Sequence, residues 1–171
     1  AIYGLFVGVN RYEAPPNKIS PLYGCVNDVE LISATLISRF AIPDENCLPL
    51  IDALATKKNV IDGFQKHLAQ AGADDTAIFY FSGHGSQEKA DSRLWVLESD
   101  RYNETLVCYD SRASEPYDLA DKELRYLIHQ LAERGVHVVT IIDSCHSGEA
   151  TRILNEEEFD SAVRQSPPDW G

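Results

Sequence analysis

Methionine is missing from this 171-residue chain, position 1 included. Its absence implies either a trimmed initiator or a piece of a longer polypeptide. Basic residues are scarce: 15 Lys and Arg stand against 27 Asp and Glu, a formal net charge of -12. Phosphate backbones and anionic lipid surfaces call for a basic patch, so neither nucleic acid nor a membrane is expected as partner. The same balance suits a basic substrate. No apolar run approaches the roughly 18 residues that span a bilayer, and no charged-then-apolar leader opens the chain, so a soluble product is expected. The four cysteines, Cys25, Cys47, Cys108 and Cys145, lie far apart, with no CxxC pair and no histidines at zinc spacing. In a chain this rich in core-forming pattern they indicate a reducing, cytoplasmic compartment rather than a disulfide framework. A GxGxxG turn after the first strand and a Walker lysine are both lacking, which leaves a nucleotide role little support.

What the chain does have is enough apolar residue, 44%, for one sizeable α/β core. Ile2 to Val9 is a near-continuous apolar run, read as a buried first strand. Cys25 to Phe40 sets Val29, Ile32, Leu36 and Phe40 at helical spacing behind Asn27-Asp28, a candidate cap. Cys47 to Ile51 is a short second strand. Thr56 opens a second helix with Val60, Ile61, Phe64 and Leu68 on one face, ending near Gly72. Ala77 to Phe81 is a third strand whose periodless apolarity suits cover on both faces. Gln87 to Asn103 is mixed and charged, and its Leu94-Trp95-Val96-Leu97 suits a short hairpin or an insertion. Thr105 to Tyr109 suits a short extra strand. Ala120 to Arg134 is the clearest helix, with Leu124, Leu127, Ile128 and Leu131 at i, i+3, i+4 and i+7 behind Asp121. Gly135 ends it, and Val136 to Ile142 is the fourth main strand. The order implies an α/β fold with a mostly parallel sheet and helices on both faces.

Two of these strands run into reactive residues set among small ones. Phe81 leads into Ser82-Gly83-His84-Gly85-Ser86, and Ile142 leads into Asp143-Ser144-Cys145-His146-Ser147-Gly148. Carboxyl ends of parallel strands are where open α/β sheets hold their chemistry. A cysteine attacks as thiolate and needs a base or a positive field beside it. His84 and Cys145 each follow a core strand closely, so neighbouring strands would bring imidazole and sulfur together as base and nucleophile. The Gly85 amide is a candidate donor to a developing oxyanion. His146 is the weaker base, because adjacent residues at a strand end point apart. His67, His129 and His137 lack such a context and read as surface or helix residues.

The two motifs together resemble the caspase-hemoglobinase fold, a three-layer α/β/α architecture, and within it the metacaspase and bacterial orthocaspase branch. The Gln-Ala-Cys-x-Gly of animal caspases is absent. The resemblance runs from the first strand through Gly148. It implies a cysteine endopeptidase in which Cys145 attacks the scissile carbonyl and His84 moves the proton. It further implies an acidic S1 pocket for arginine or lysine, lined by Cys25, Asp28, Ser82 and Asp143. Two carboxylates facing a guanidinium make a charge-assisted match, and an aspartate side chain would be repelled. From the residues alone, Asp28 also suits an ordinary helix cap, Asp143 a carboxylate held by backbone amides, and Cys25 a buried pocket wall.

Many metacaspases require calcium and carry an acidic loop after the histidine. Here that segment is Asp91-Ser92-Arg93-Leu94-Trp95-Val96-Leu97-Glu98-Ser99-Asp100, too sparse in oxygen ligands for a hard-cation cage, followed by Asn103-Glu104-Thr105-Leu106. Activity without calcium or any other cofactor is expected. Residues 1–148 resemble the large catalytic subunit of such a protease, and residues 149–171 an inter-subunit linker in which Arg152 and Arg164 are candidate self-processing sites. A sheet ending at the nucleophile strand would expose an apolar edge, so a small-subunit segment is expected to pair there. Two other functions compete: a catalytically silent or partner-activated caspase-like regulatory module, and a doubly wound redox or ligand-binding protein whose Cys145 senses oxidants. Within the enzyme class, an aspartate-specific protease would need basic residues at S1, and the matched positions are acidic or neutral.

Overall fold

The computed structural model describes residues 1–89, 102–113 and 117–144. A four-stranded sheet, entirely parallel, forms the centre in the spatial order β2-β1-β3-β7, where β1 is Ile2–Gly8, β2 Cys47–Ile51, β3 Thr76–Ser82 and β7 His137–Asp143. Helix α1, Cys25–Phe40, links β1 to β2. Helix α2, Lys57–Asp62, continues through a π turn over Gly63–His67 and a 3-10 turn over Leu68–Gln70 before β3. Strands β4, Gly85–Lys89, β5, Tyr102–Leu106, and β6, Leu119–Ala120, make a small antiparallel sheet, and α3, Asp121–Ala132, leads into β7.

Alternation along the central strands splits the core in two. Leu5 and Val7 of β1 join Ala77, Phe79 and Phe81 of β3 on one face, packed with Phe64 and Leu68 of the α2 segment and Leu124, Leu127 and Leu131 of α3. Phe6, Ile78 and Tyr80 point the other way and meet Val29, Ile32 and Leu36 of α1. Helices on both faces make the expected three layers. Gly63 is where the α2 segment passes closest to the sheet, since a Cβ there would lie 2.8 Å from the Leu5 methyls.

Several local expectations need correction. Asn27 and Asp28 do not cap α1: the helix starts one turn earlier, behind Gly24 at φ 105°, with no side-chain cap. Only a glycine adopts that backbone cheaply. Thr56 does cap α2, its hydroxyl oxygen accepting from the Asn59 amide at 3.1 Å. The second helix ends in π and 3-10 winding rather than as one α-helix to Gly72, and the Arg134 guanidinium donates to the Ala69 and Ala71 carbonyls at its end. The extra strand lies at Tyr102–Leu106 instead of Thr105 to Tyr109, paired antiparallel with β4. Glu123 accepts from the Ala120 amide at 3.0 Å to start α3. His67 falls in a helix, as expected, at the end of the π turn. Its Nε2 lies 3.1 Å from the Gly4 carbonyl and 3.0 Å from that of Asn46, tying the α2 segment to β1. The Leu94 to Leu97 run lies outside the described residues.

The small sheet is held together by polar groups from its strands and from the segment between β5 and β6. Arg112, at φ 59°, donates to Ser86 Oγ and Asp118 Oδ2, both at 2.7 Å. Thr105 donates to the same carboxylate oxygen at 2.9 Å. Arg112 and Asp118 side chains are only 10% and 3% exposed, and a buried carboxylate stripped of its cation costs about 3–5 kcal/mol. Arg112→Ala should therefore lower stability by about 3 kcal/mol in urea unfolding; a loss below about 1 kcal/mol would assign the pair no structural weight.

Candidate active site

Ser82 is the meeting point of the sheet's carboxyl edge. It pairs with Gly8 of β1 on one side and Asp143 of β7 on the other. Helix α1 enters against this edge because Gly8 has no side chain: a Cβ there would lie 2.8 Å from Val29 Cγ2 and 3.0 Å from the Cys25 carbonyl oxygen. The close approach sets Cys25, fully buried, at the first position of α1 and Asp28 one turn on. The Ser82 hydroxyl then donates to Asp28 Oδ2 at 3.3 Å. The four residues expected at an acidic pocket thus come from three elements that converge on one edge. Asp28 is bound by a strand-end hydroxyl.

His84 follows two residues after Ser82 and is fully buried. Its imidazole Nε2 lies 2.9 Å from the Ser20 carbonyl oxygen and 3.4 Å from the Ser20 hydroxyl. A carbonyl oxygen only accepts, so Nε2 carries the proton and Nδ1 is the basic nitrogen of the neutral ring. The His84 carbonyl accepts from the Val107 amide at 3.0 Å, and Gly85 begins β4 in register with Leu106. Gly83 donates to the Asp143 carbonyl at 3.4 Å, continuing the β3–β7 ladder past its last pair.

Tyr12 and Ser20, both from the loop between β1 and α1, touch His84 and were not singled out in the sequence. The Tyr12 hydroxyl accepts from the His84 amide at 2.9 Å, and its ring centroid lies 5.4 Å from that of the imidazole. Burial is the main cause that pushes the Tyr12 phenol above its usual range, so it stays neutral. No periodicity marks either residue, since each acts across more than sixty positions of chain.

Cys145 and His146 lie outside the described residues, as do Arg152 and Arg164. Of the other cysteines, Cys108 is buried with its thiol pushed far up, chiefly by burial, and Cys47 is raised by burial and then by Asp44. Neither environment favours a thiolate. Among the described residues no three His, Cys, Asp or Glu gather as a metal would require, and no helix is long and apolar enough to cross a membrane. The acidic segment 91–100 is outside the described residues.

A sequence model of the metacaspase, peptidase C14 domain matches residues 3–154. Metacaspase-1A of Aspergillus oryzae is 32% identical over 152 residues, covering 85% of this chain and 34% of its own. Metacaspase III c of Phaeodactylum tricornutum is 35% identical over 148 residues, covering 84% of this chain and 42% of its own. A crystal structure of a Geobacter sulfurreducens protein matches with a TM-score of 0.65 at 29% identity, over 86% of this chain and 52% of that one. The chain spans about a third of the length of the fungal relatives. The geometry at His84 makes its own prediction: nitrogen-15 NMR of the neutral ring should show the Nε2–H tautomer, and a dominant Nδ1–H form would contradict the Ser20 contact.

Proposed function

The chain belongs to the metacaspase family, peptidase C14, and on that footing we propose that it is the large catalytic subunit of a cysteine endopeptidase that cleaves after arginine or lysine. The observation that carries the reading is the β3–β7 register. Ser82 pairs with Asp143, and His84 and Cys145 each follow their paired residue by two positions in the chain. Equal offsets from one rung of a parallel ladder favour a short approach between imidazole and sulfur.

In this mechanism His84 Nδ1 takes the Cys145 proton and the thiolate attacks the scissile carbonyl carbon. The Gly85 amide donates to the resulting oxyanion. As the C–N bond breaks, Nδ1 returns the proton to the leaving amine, and a thioester remains on Sγ. Water, deprotonated by Nδ1, then hydrolyses the thioester and releases Cys145. Ser20 supports the cycle by holding Nε2–H, since a ring with a fixed tautomer offers the same nitrogen at every step.

The substrate's basic side chain is assigned to Asp28 and Asp143, with Ser82 and Cys25 between them. What supports this is convergence: Ser82 is bonded to one carboxylate and laddered to the residue bearing the other. A cationic guanidinium offsets the repulsion of two neighbouring carboxylates, and an acidic P1 side chain would add to it. The exposed edge of β7 is assigned to a small-subunit segment, because Ile141 and Ile142 are 38% and 39% exposed on the strand next to the buried β3. We also assign residues 149–171 to the inter-subunit linker, with cleavage at Arg152 or Arg164 separating the subunits. The competing reading, a silent or partner-activated regulatory module, predicts the same fold without turnover.

Matched fluorogenic peptides ending in Arg, Lys or Asp decide between them in the complete catalytic domain. Cleavage after Arg and Lys but not Asp is expected, abolished in Cys145→Ala and unchanged by calcium chelation; no cleavage of any peptide would favour the silent module. Asp28→Asn removes one charged acceptor, and about 1.5–3 kcal/mol per charge-assisted bond translates to a fall of roughly 10–100-fold in kcat/KM for arginine peptides. An unchanged arginine preference in that variant would remove Asp28 from the pocket.

A further inference from the structure

Resting on the reading of His84 as the base, we propose that Tyr12 is a positioning residue whose hydroxyl sets the main chain of His84 and so aims Nδ1 at the reacting thiol. The His84 backbone is held from two directions. Val107 donates to its carbonyl at 3.0 Å from the small sheet, and the Tyr12 oxygen accepts from its amide at 2.9 Å. With β3 already ended at Ser82, the Tyr12 phenol replaces the strand partner that this amide would otherwise need. The Tyr12 ring, tilted 38° to the imidazole, limits the swing of the same side chain.

The space for this contact is built into the turn. A Cβ on Gly83 would lie 3.3 Å from the Tyr12 hydroxyl and 3.0 Å from the Phe81 ring. A neutral phenol suits the role, because an N–H needs an acceptor and a phenolate beside the base would alter its charge as well as its place.

Tyr12 is fixed independently of His84, so it can act as a reference point. Asp52, in left-handed backbone at φ 45°, accepts from the Asn10 and Arg11 amides at 2.7 and 3.0 Å. The Glu13 amide donates to the Tyr109 carbonyl at 2.9 Å, and the Leu22 amide to the Asn10 carbonyl at 2.7 Å. These bonds clamp the residues on both sides of Tyr12 to two other loops. The same loop brings the Ser20 carbonyl to Nε2, so one segment fixes the base at its main chain and at its far nitrogen.

The test compares the complete catalytic domain with Tyr12→Phe, Gly83→Ala and His84→Ala. Tyr12→Phe keeps the ring and leaves the His84 amide without its acceptor. It should lower kcat about tenfold with KM changed less than twofold, and should add an Nδ1–H population to the nitrogen-15 spectrum of the His84 ring. Gly83→Ala, which crowds the hydroxyl from the other side, should give the same split if Tyr12→Phe fails to fold. A wild-type kcat in a folded variant, or a fall in kcat matched by a rise in KM with an unchanged ring spectrum, would overturn the proposal. His84→Ala separates the two claims. If it is inactive while Tyr12→Phe is fully active, positioning alone fails; if it is as active as the parent, the base assignment fails and the Tyr12 role falls with it.

Discussion

Parallel pairing of β3 with β7, from Thr76 with His137 to Ser82 with Asp143, is the constraint on which the rest of the site depends. In a parallel ladder both strands end on the same edge, so whatever follows each of them is delivered side by side. Because side chains alternate, a slip of one residue would turn Asp143 to the opposite face from the one that matches Ser82. The register is protected by burial of β3, whose Ala77, Phe79 and Phe81 face one helix layer while Ile78 and Tyr80 face the other. A strand committed to two cores has no second register that keeps both filled.

The remaining parts are brought to that edge by close approaches. Gly8 lets the start of α1 come down onto β1, which gives Asp28 the hydroxyl of Ser82. The loop before α1 folds back over the same end of the sheet and supplies Tyr12 and Ser20 to His84. Acidic groups therefore gather around the Ser82 rung, and an imidazole held through Nε2 by the Ser20 carbonyl sits just beyond it. That separation fits a site that binds a cation at one point and moves a proton at another.

The strand-helix order was legible because its signals are local. The Cys25–Phe40 spacing coincides with α1, and the apolar runs after Gly135 and before Ser82 fall in β7 and β3 within a residue or two. Both motifs also begin at a strand's end, as the apolar runs implied: Ser82 closes β3 and Asp143 closes β7. What the sequence hid depends on distant partners. An aspartate in the first turn of a helix looks like a cap until Ser82 is seen to bind it. His67 looks like any helix residue until the carbonyls of Gly4 and Asn46 are beside it. The change from α to π winding at Gly63 leaves the apolar face intact, so periodicity carries no trace of it. Tyr12 and Ser20 lie in an irregular loop whose path is decided by Asp52 and Tyr109, and neither spacing nor composition encodes that path.

The central claim is that one sheet edge unites the nucleophile, the base and an acidic pocket. Its most direct test is a crystal structure of the complete catalytic domain after reaction with a peptidyl-arginine chloromethyl ketone, which traps the attacking sulfur as a thioether. The account predicts the new bond on Cys145 Sγ, the His84 imidazole still on the Ser20 carbonyl, and the guanidinium between Asp28 and Asp143. A label on another residue, or a guanidinium lying away from both carboxylates, would contradict it.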